Sequence, residues 1–225
     1  MTHVLLNHTR TDPELVADLG QYSAAHIHES QGRLGYVDSA IKPIDRDMTV
    51  CGPAFTVVCH PRDNLMLQVA ISYAQPGDVL VVSSGNQPAG QFGDVLATAC
   101  QARGIAGLVT DGGVRDTREI RELGFPVFSQ FVCIQGTVKE TLGPVNHPLI
   151  FGGQLIRPGD IVKADCDGVV VVRQEDVADV IARCEAREAN EVDFMRRYWA
   201  GETPIDISNY EPMLAEKGLT VEQNA

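Results

Sequence analysis

The sequence predicts an α/β protein, and three observations carry that reading. The centre of the chain alternates short apolar strand patterns with helical patterns across brief connections. After about residue 130 the pattern turns mostly to β. A long helix then runs from Val177 to about Trp199, polar along one face. Composition agrees. The 225 residues point to one domain, and 44% hydrophobic with 21% charged residues is ordinary for a soluble globular chain. No apolar run approaches the roughly 20 residues of a membrane helix. The N-terminus lacks a basic stretch before an apolar one, so no signal peptide and a cytoplasmic location are expected. A net charge of −12 argues against nucleic-acid or anionic-membrane partners, which require a basic face. It leaves room for an acidic small substrate held by a local arginine or a metal.

Each element has a local signal. Thr11-Asp12-Pro13-Glu14 reads as a cap with proline in the first turn, followed by Leu15, Val16 and Leu19 at helical spacing. Met48 to Cys59 is β-rich and is expected to break at Gly52-Pro53. Asn64 to Tyr73 reads as a helix, and Gly77-Asp78 turns into the strand Val79–Ser83. A loop rich in glycine, proline and glutamine, 85–93, feeds a helix over 94–103 that stops at Gly104. Ile105 to Thr110 is a strand, Asp111 to Asp116 a turn, and Thr117 to Leu123 a helix closed by Gly124. Pro126-Val127-Phe128 begins another strand. Further strands are expected near 131–138, 154–156, 161–163 and over Gly168 to Arg173, with turns at Pro158–Asp160 and Asp165–Gly168. Gly201 to Ala225 is polar and holds two prolines, so it is expected as a tail packed on a neighbour or a loosely ordered end.

The six cysteines form no CxxC pair and read as free, mostly buried thiols in a reducing compartment. His26-Ile27-His28 could set two imidazoles on one side of an extended segment, but ordinary polar residues account for it as well. The 85–93 loop suits an anion, because the free N–H groups and dipole of the following helix point at it. Simple capping by Asp94 is the alternative. Asp111-Gly112-Gly113-Val114-Arg115-Asp116 is the densest polar cluster inside an apolar stretch. Arg115 offers a forked donor for a carboxylate, and Asp116 a hard oxygen ligand for Mg²⁺ or Mn²⁺. The alternative is a turn in which Asp116 caps a helix and Arg115 makes a surface pair. Lysine Schiff-base chemistry has no support around Lys42, Lys139, Lys163 or Lys217. GxSxG is absent. A metal-assisted mechanism remains by elimination.

Asp94, twenty residues, then Arg115-Asp116 resembles the Asp-x20-Arg-Asp pattern of class II pyruvate aldolases of the RraA-like family. Gly93–Thr98, Arg103–Asp116, Phe125–Phe128 and Pro158–Val172 are similar to that family as well. The likeness spans about residues 15–220. It implies an RraA-like swivelling β/β/α sandwich over 1–225, with 175–225 as a C-terminal helix and tail packing on a neighbouring subunit. Trimers or hexamers are implied, with the site between subunits. Asp116 would ligate Mg²⁺ (or Mn²⁺, Co²⁺) directly, and Asp94 would hold it through water. Arg115 would bind the pyruvyl group. Gly93 and the N–H groups of Val95 and Leu96 would receive the substrate carboxylate. Glu191, or its neighbour Glu188, would reach the adjacent subunit's site. The implied reaction is retro-aldol cleavage of 4-carboxy-4-hydroxy-2-oxoadipate or 4-hydroxy-4-methyl-2-oxoglutarate in aromatic-acid catabolism. Oxaloacetate decarboxylation would be a side activity. Two alternatives stand beside it: a non-catalytic RraA-like regulator of ribonuclease E, and another 2-oxo-acid decarboxylase or lyase. Arg33, Asn64, Arg118 and Arg121 are candidates for the rest of the substrate pocket.

Overall fold

Asp12 opens the first helix as its sequence predicts. Its side chain accepts the N–H of Glu14 at 2.9 Å, and Pro13 needs no donor in the first turn. The computed structural model describes residues 3–6 and 8–222. The elements run α1 (Pro13–Gly20), α2 (Ala24–Ser30), β1 (Lys42–Pro43), β2 (Val50–Val58), α3 (Leu65–Tyr73), β3 (Val79–Ser83) and β4 (Gly90–Phe92). Next come α4 (Asp94–Ala102), β5 (Gly107–Val114), α5 (Thr117–Leu123) and β6 (Val127–Val132). The β-rich part holds β7 (Leu149–Phe151), β8 (Gln154–Ile156), β9 (Ile161–Ala164) and β10 (Val169–Val172). Last are α6 (Val177–Trp199), α7 (Pro204–Ser208) and α8 (Glu211–Glu216).

The strands order as β1-β6-β5-β3-β2-β9-β10, with β4 on β5, and β7-β8 form a separate hairpin. The β2-β3-β5-β6 pairs are parallel, as βαβ connections require. Period-two alternation sends the two faces to different partners. Leu80 and Val82 join Leu67 and Ala70 of α3, Ala97 and Cys100 of α4 and Ile120 of α5 in one core. Val79 and Val81 join Phe151, Ile156, Val162 and Val171 in the other. Helices, parallel sheet and second β layer therefore stack as the β/β/α sandwich the sequence predicts.

Several expectations about elements change. β2 runs unbroken through Gly52-Pro53 and exchanges partners there. Val50 to Pro53 pairs with β9, and Ala54 onward pairs with β3. Proline, lacking a donor, sits where one ladder ends and the next begins. A Cβ at Gly52 would lie 2.3 Å from the Gly77 carbonyl oxygen, so only glycine allows this close pass. Asp111 to Val114 is strand, not turn, because β5 continues to pair with β4 and β6 at Gly113 across an irregular register. Residues 90–92 of the supposed loop form β4. Past Val132 the expected strand dissolves into isolated bridges at Val138 and Val145. The missed β7 faces β8 across Gly152-Gly153, both at positive φ, which is a two-residue hairpin signal. His26 and His28 lie on helix α2, where a two-residue step separates their directions.

Two compact units divide the chain within α6, one through Ala182 and one from Arg183. The second carries α7, which Thr203 and Asp206 close with a capping box, and α8, where a loose or packed tail was expected. No disulfide joins the six cysteines. Burial pushes the Cys59 and Cys100 thiols up to about 12, which keeps them unreactive. No helix among the described residues is long and apolar enough to cross a membrane.

Candidate functional site

The C-terminal ends of the parallel strands carry the polar cluster, where ligands bind in open α/β sheets. β5 delivers Arg115 and Asp116 immediately after Val114, and β4 delivers Gly93 and Asp94 to the start of α4. The two segments are joined by the Arg115 N–H, which donates to the Phe92 carbonyl at 2.9 Å. A pocket of about 380 Å³ results, lined by Gly93, Asp94, Val95, Leu96, Arg115 and Asp116. Asn64 and Gln68 of α3 and Lys139 complete its polar wall.

Close packing explains the glycines. A Cβ on Gly93 would stand 2.3 Å from Asp116 Oδ2 and 3.3 Å from Arg115 Nε. A Cβ on Gly90 would stand 2.4 Å from the Cys133 carbonyl oxygen and 3.3 Å from Arg115 Cβ. These two positions let the strand end fold down against the start of α4.

Asp116 adopts left-handed backbone, φ 55° and ψ 38°, at the start of α5, a conformation aspartate tolerates. Its side chain makes no capping bond, so the capping alternative fails. Its Oδ2 lies 3.4 Å from Arg115 Nε, and both side chains remain well exposed to the pocket. Asp94 is the first residue of α4, with Gly93 as the cap. Asp94 Oδ1 accepts the N–H of Val95 at 2.8 Å. Of the two N–H groups expected to receive a carboxylate, that of Val95 is thus engaged within the chain. Two hard carboxylates, one held by a single cation, form a donor set suited to Mg²⁺ or Mn²⁺. Arg115 and Lys139 supply positive charge for an anion beside them.

Asn64 belongs to the pocket as expected. It donates from Nδ2 to the Gln91 carbonyl at 2.8 Å and accepts from Gln68 Nε2 at 3.2 Å. Arg33, Arg118 and Arg121 do not line it. They bond Glu29, Glu119 and the Thr117 carbonyl respectively. Lys139 was passed over, because its segment read as the end of a strand. Glu188 and Glu191 lie in the second unit, where Glu191 Oε1 is 2.7 Å from Arg187 Nε one turn earlier. Asp165, Cys166 and Asp167 are the other grouping of metal-type side chains among the described residues. Both Asp165 oxygens there accept backbone N–H groups, of Ala24 and Asp167.

Known proteins bear on this geometry. The RraA-like family described as Aldolase/RraA matches residues 16–171. A protein of Halalkalibacterium halodurans named "Putative 4-hydroxy-4-methyl-2-oxoglutarate aldolase" is 35% identical over 166 residues, covering 73% of this chain and 79% of that one. Among solved structures, Streptomyces coelicolor RraAS2 is described as an unusual member of the RNase ES inhibitor RraA protein family. It shares 33% identity over 83% of this chain and 100% of its own, with a TM-score of 0.73. An uncharacterized protein of Pseudomonas syringae shares 26% identity over 88% of this chain and 94% of its own, with a TM-score of 0.79.

Proposed function

The chain belongs to the RraA-like Aldolase/RraA family, and from that premise we propose that it is a divalent-metal-dependent carbon–carbon lyase acting on 4-hydroxy-2-oxo acids. The substrates are 4-carboxy-4-hydroxy-2-oxoadipate, 4-hydroxy-4-methyl-2-oxoglutarate or both. The observation that carries this reading is the meeting of Arg115, Asp116 and Asp94 at the start of α4 in one pocket. The aldolase name of the H. halodurans relative supports it.

Asp116 would hold the metal directly, Asp94 through water, and Glu191 of an adjacent subunit through water in a homo-oligomer. When bound, the metal supplies Lewis acidity toward the 2-oxo group and its carboxylate. Arg115 binds the same pyruvyl end and stabilises the negative charge that grows on the 2-oxo oxygen as the C3–C4 bond breaks. That bond's electrons stay with C3 as the pyruvate enolate. The C4 hydroxyl loses its proton as it becomes a carbonyl, and C3 later gains one. A water held by Arg115 carries these protons, since no histidine lines the pocket. The N–H of Leu96 and the α4 dipole favour the incoming carboxylate. Lys139, on the far wall, pairs with a second carboxylate. Oxaloacetate decarboxylation passes through the same enolate and is a side activity.

Comparing turnover of oxaloacetate with that of both hydroxy acids tests the reading. We expect all three to release pyruvate with Mg²⁺, the hydroxy acids faster. Turnover of oxaloacetate alone would make the protein a decarboxylase. Silence toward all three would return it to the non-catalytic inhibitor role that the S. coelicolor relative's description carries.

A further inference from the structure

Lys139 stands on a loop without regular secondary structure, yet its backbone is fixed from both sides. Val138 N–H donates to the Arg62 carbonyl at 3.0 Å, and the Val138 carbonyl accepts the Asn64 N–H at 3.1 Å. On the other side, Glu140 N–H and Thr141 N–H both donate to Asp63 Oδ2, at 2.9 and 2.7 Å. The second oxygen of the same carboxylate, Oδ1, accepts the N–H of Leu65 at the start of α3, at 2.9 Å. One side chain therefore joins the helix that carries Asn64 and Gln68 to the loop that carries Lys139. Asp63 is only 1% exposed and does not itself line the pocket. Burial pushes its carboxyl up, but the N–H groups of Leu65, Glu140 and Thr141 together outweigh this and hold it below the ordinary carboxylate range.

We propose that Asp63 is a positioning residue, whose carboxylate sets Lys139 at the distance needed to recognise the second carboxylate of a dicarboxylic oxo acid. The assignment rests on the oxo-acid reading of the pocket. A flexible lysine is a poor selector, because ordering it costs rotamer and loop freedom that the ion pair must offset. A loop already fixed by a buried clamp removes the backbone share of that cost before the ligand arrives. Asparagine at position 63 has the same shape but one acceptor oxygen, so either α3 or the loop loses its partner.

The experiment is calorimetric binding of 2-oxoglutarate and of pyruvate, with Mg²⁺ present, to the wild type, Asp63→Asn, Lys139→Gln and the double variant. 2-Oxoglutarate carries the second carboxylate and pyruvate lacks it. We expect Asp63→Asn to weaken 2-oxoglutarate about tenfold, a shift of about 1.4 kcal/mol, and pyruvate less than about twofold. Lys139→Gln should do the same, and the double variant should match Lys139→Gln alone, since the two residues act through one contact. Equal weakening of both ligands by Asp63→Asn, or additive losses in the double variant, would overturn the proposal. Should Asp63→Asn fail to fold, hydrogen exchange on the wild type decides. The Glu140 and Thr141 amides must be protected like the helix amides of α3, and free exchange there overturns the clamp. Binding is read apart from turnover, so a protein that binds both ligands but cleaves no hydroxy acid would refute the aldolase reading while still judging Asp63.

Discussion

Two cavities open near the ends of the same strands, and they differ in what their carboxylates are doing. The larger, about 600 Å³, is lined by Asp38 and Asp111 together with Ser39, Asn86 and Gln130, and no cation lines it. Asp111 is buried there and fully committed. It accepts from Ser84 N–H at 2.5 Å, Ser84 Oγ at 2.9 Å and Ser83 Oγ at 3.0 Å. The smaller pocket holds Asp116, on the same segment as Asp111, with Arg115 at 3.4 Å and no bond spent on its helix. Volume therefore does not mark the site. A carboxylate whose hydrogen bonds are all used inside the chain builds structure, whereas one left beside a cation can take a metal or a substrate.

Exchanging each aspartate for asparagine sharpens this contrast most. Asp116→Asn should lower kcat/KM at least about a hundredfold while leaving the melting temperature within a few degrees, since no structural bond is lost. Asp111→Asn should reverse the pattern. It leaves buried donors facing an amide and costs about 1–3 kcal/mol of stability, while activity per folded molecule stays within a few-fold. Urea unfolding and steady-state kinetics on both variants check this, and matching phenotypes would dissolve the distinction. Arg115→Lys comes next, with a loss of roughly ten- to a hundredfold, because an ammonium cannot make the forked contact. Near-normal kinetics would make Arg115 structural. Gly93→Ala follows. Its Cβ would fall 2.3 Å from Asp116 Oδ2, so Asp116 must move. We expect Mg²⁺ affinity to drop about tenfold, read by metal titration, as misplaced supporting groups typically cost.

The smallest effect is a pH dependence. The Asp63 carboxyl is held below its ordinary value in the folded protein. Its stabilisation is therefore present above the unfolded carboxylate pKa and is lost as pH falls through the lowered folded value. Unfolding free energy from pH 6 to pH 3 should fall less steeply in Asp63→Asn than in the wild type. Parallel curves would show that Asp63 stabilises nothing through its charge.

Much of this was readable from residues alone, and the exceptions share a cause. α1, α3, β3, α5 and α6 were legible because each carries a cap or a period that local chemistry sets. The run through β2 was not, since its Gly52-Pro53 looks like a break until two different partner strands are seen on either side. Asp111 to Asp116 read as one turn for a similar reason: the pairing that keeps Gly112 and Gly113 in β5 comes from distant strands. Arg115, Asp116 and Asp94 were recognisable because strand ends and helix starts announce themselves. Lys139 was not, because its place depends on Asp63, seventy-odd residues earlier and hidden from solvent. Fixed-loop residues of this kind leave no periodic signal.

The measurement that tests the central claim most directly is pyruvate release from 4-hydroxy-4-methyl-2-oxoglutarate and from 4-carboxy-4-hydroxy-2-oxoadipate, coupled to lactate dehydrogenase. The protein is stripped with EDTA and assayed before and after Mg²⁺ is returned, with Asp116→Asn alongside. We expect activity that vanishes with EDTA, returns with Mg²⁺ in the wild type and fails to return in Asp116→Asn. Pyruvate release that ignores EDTA, or an Asp116→Asn variant that keeps more than about a tenth of wild-type kcat at saturating Mg²⁺, would contradict it.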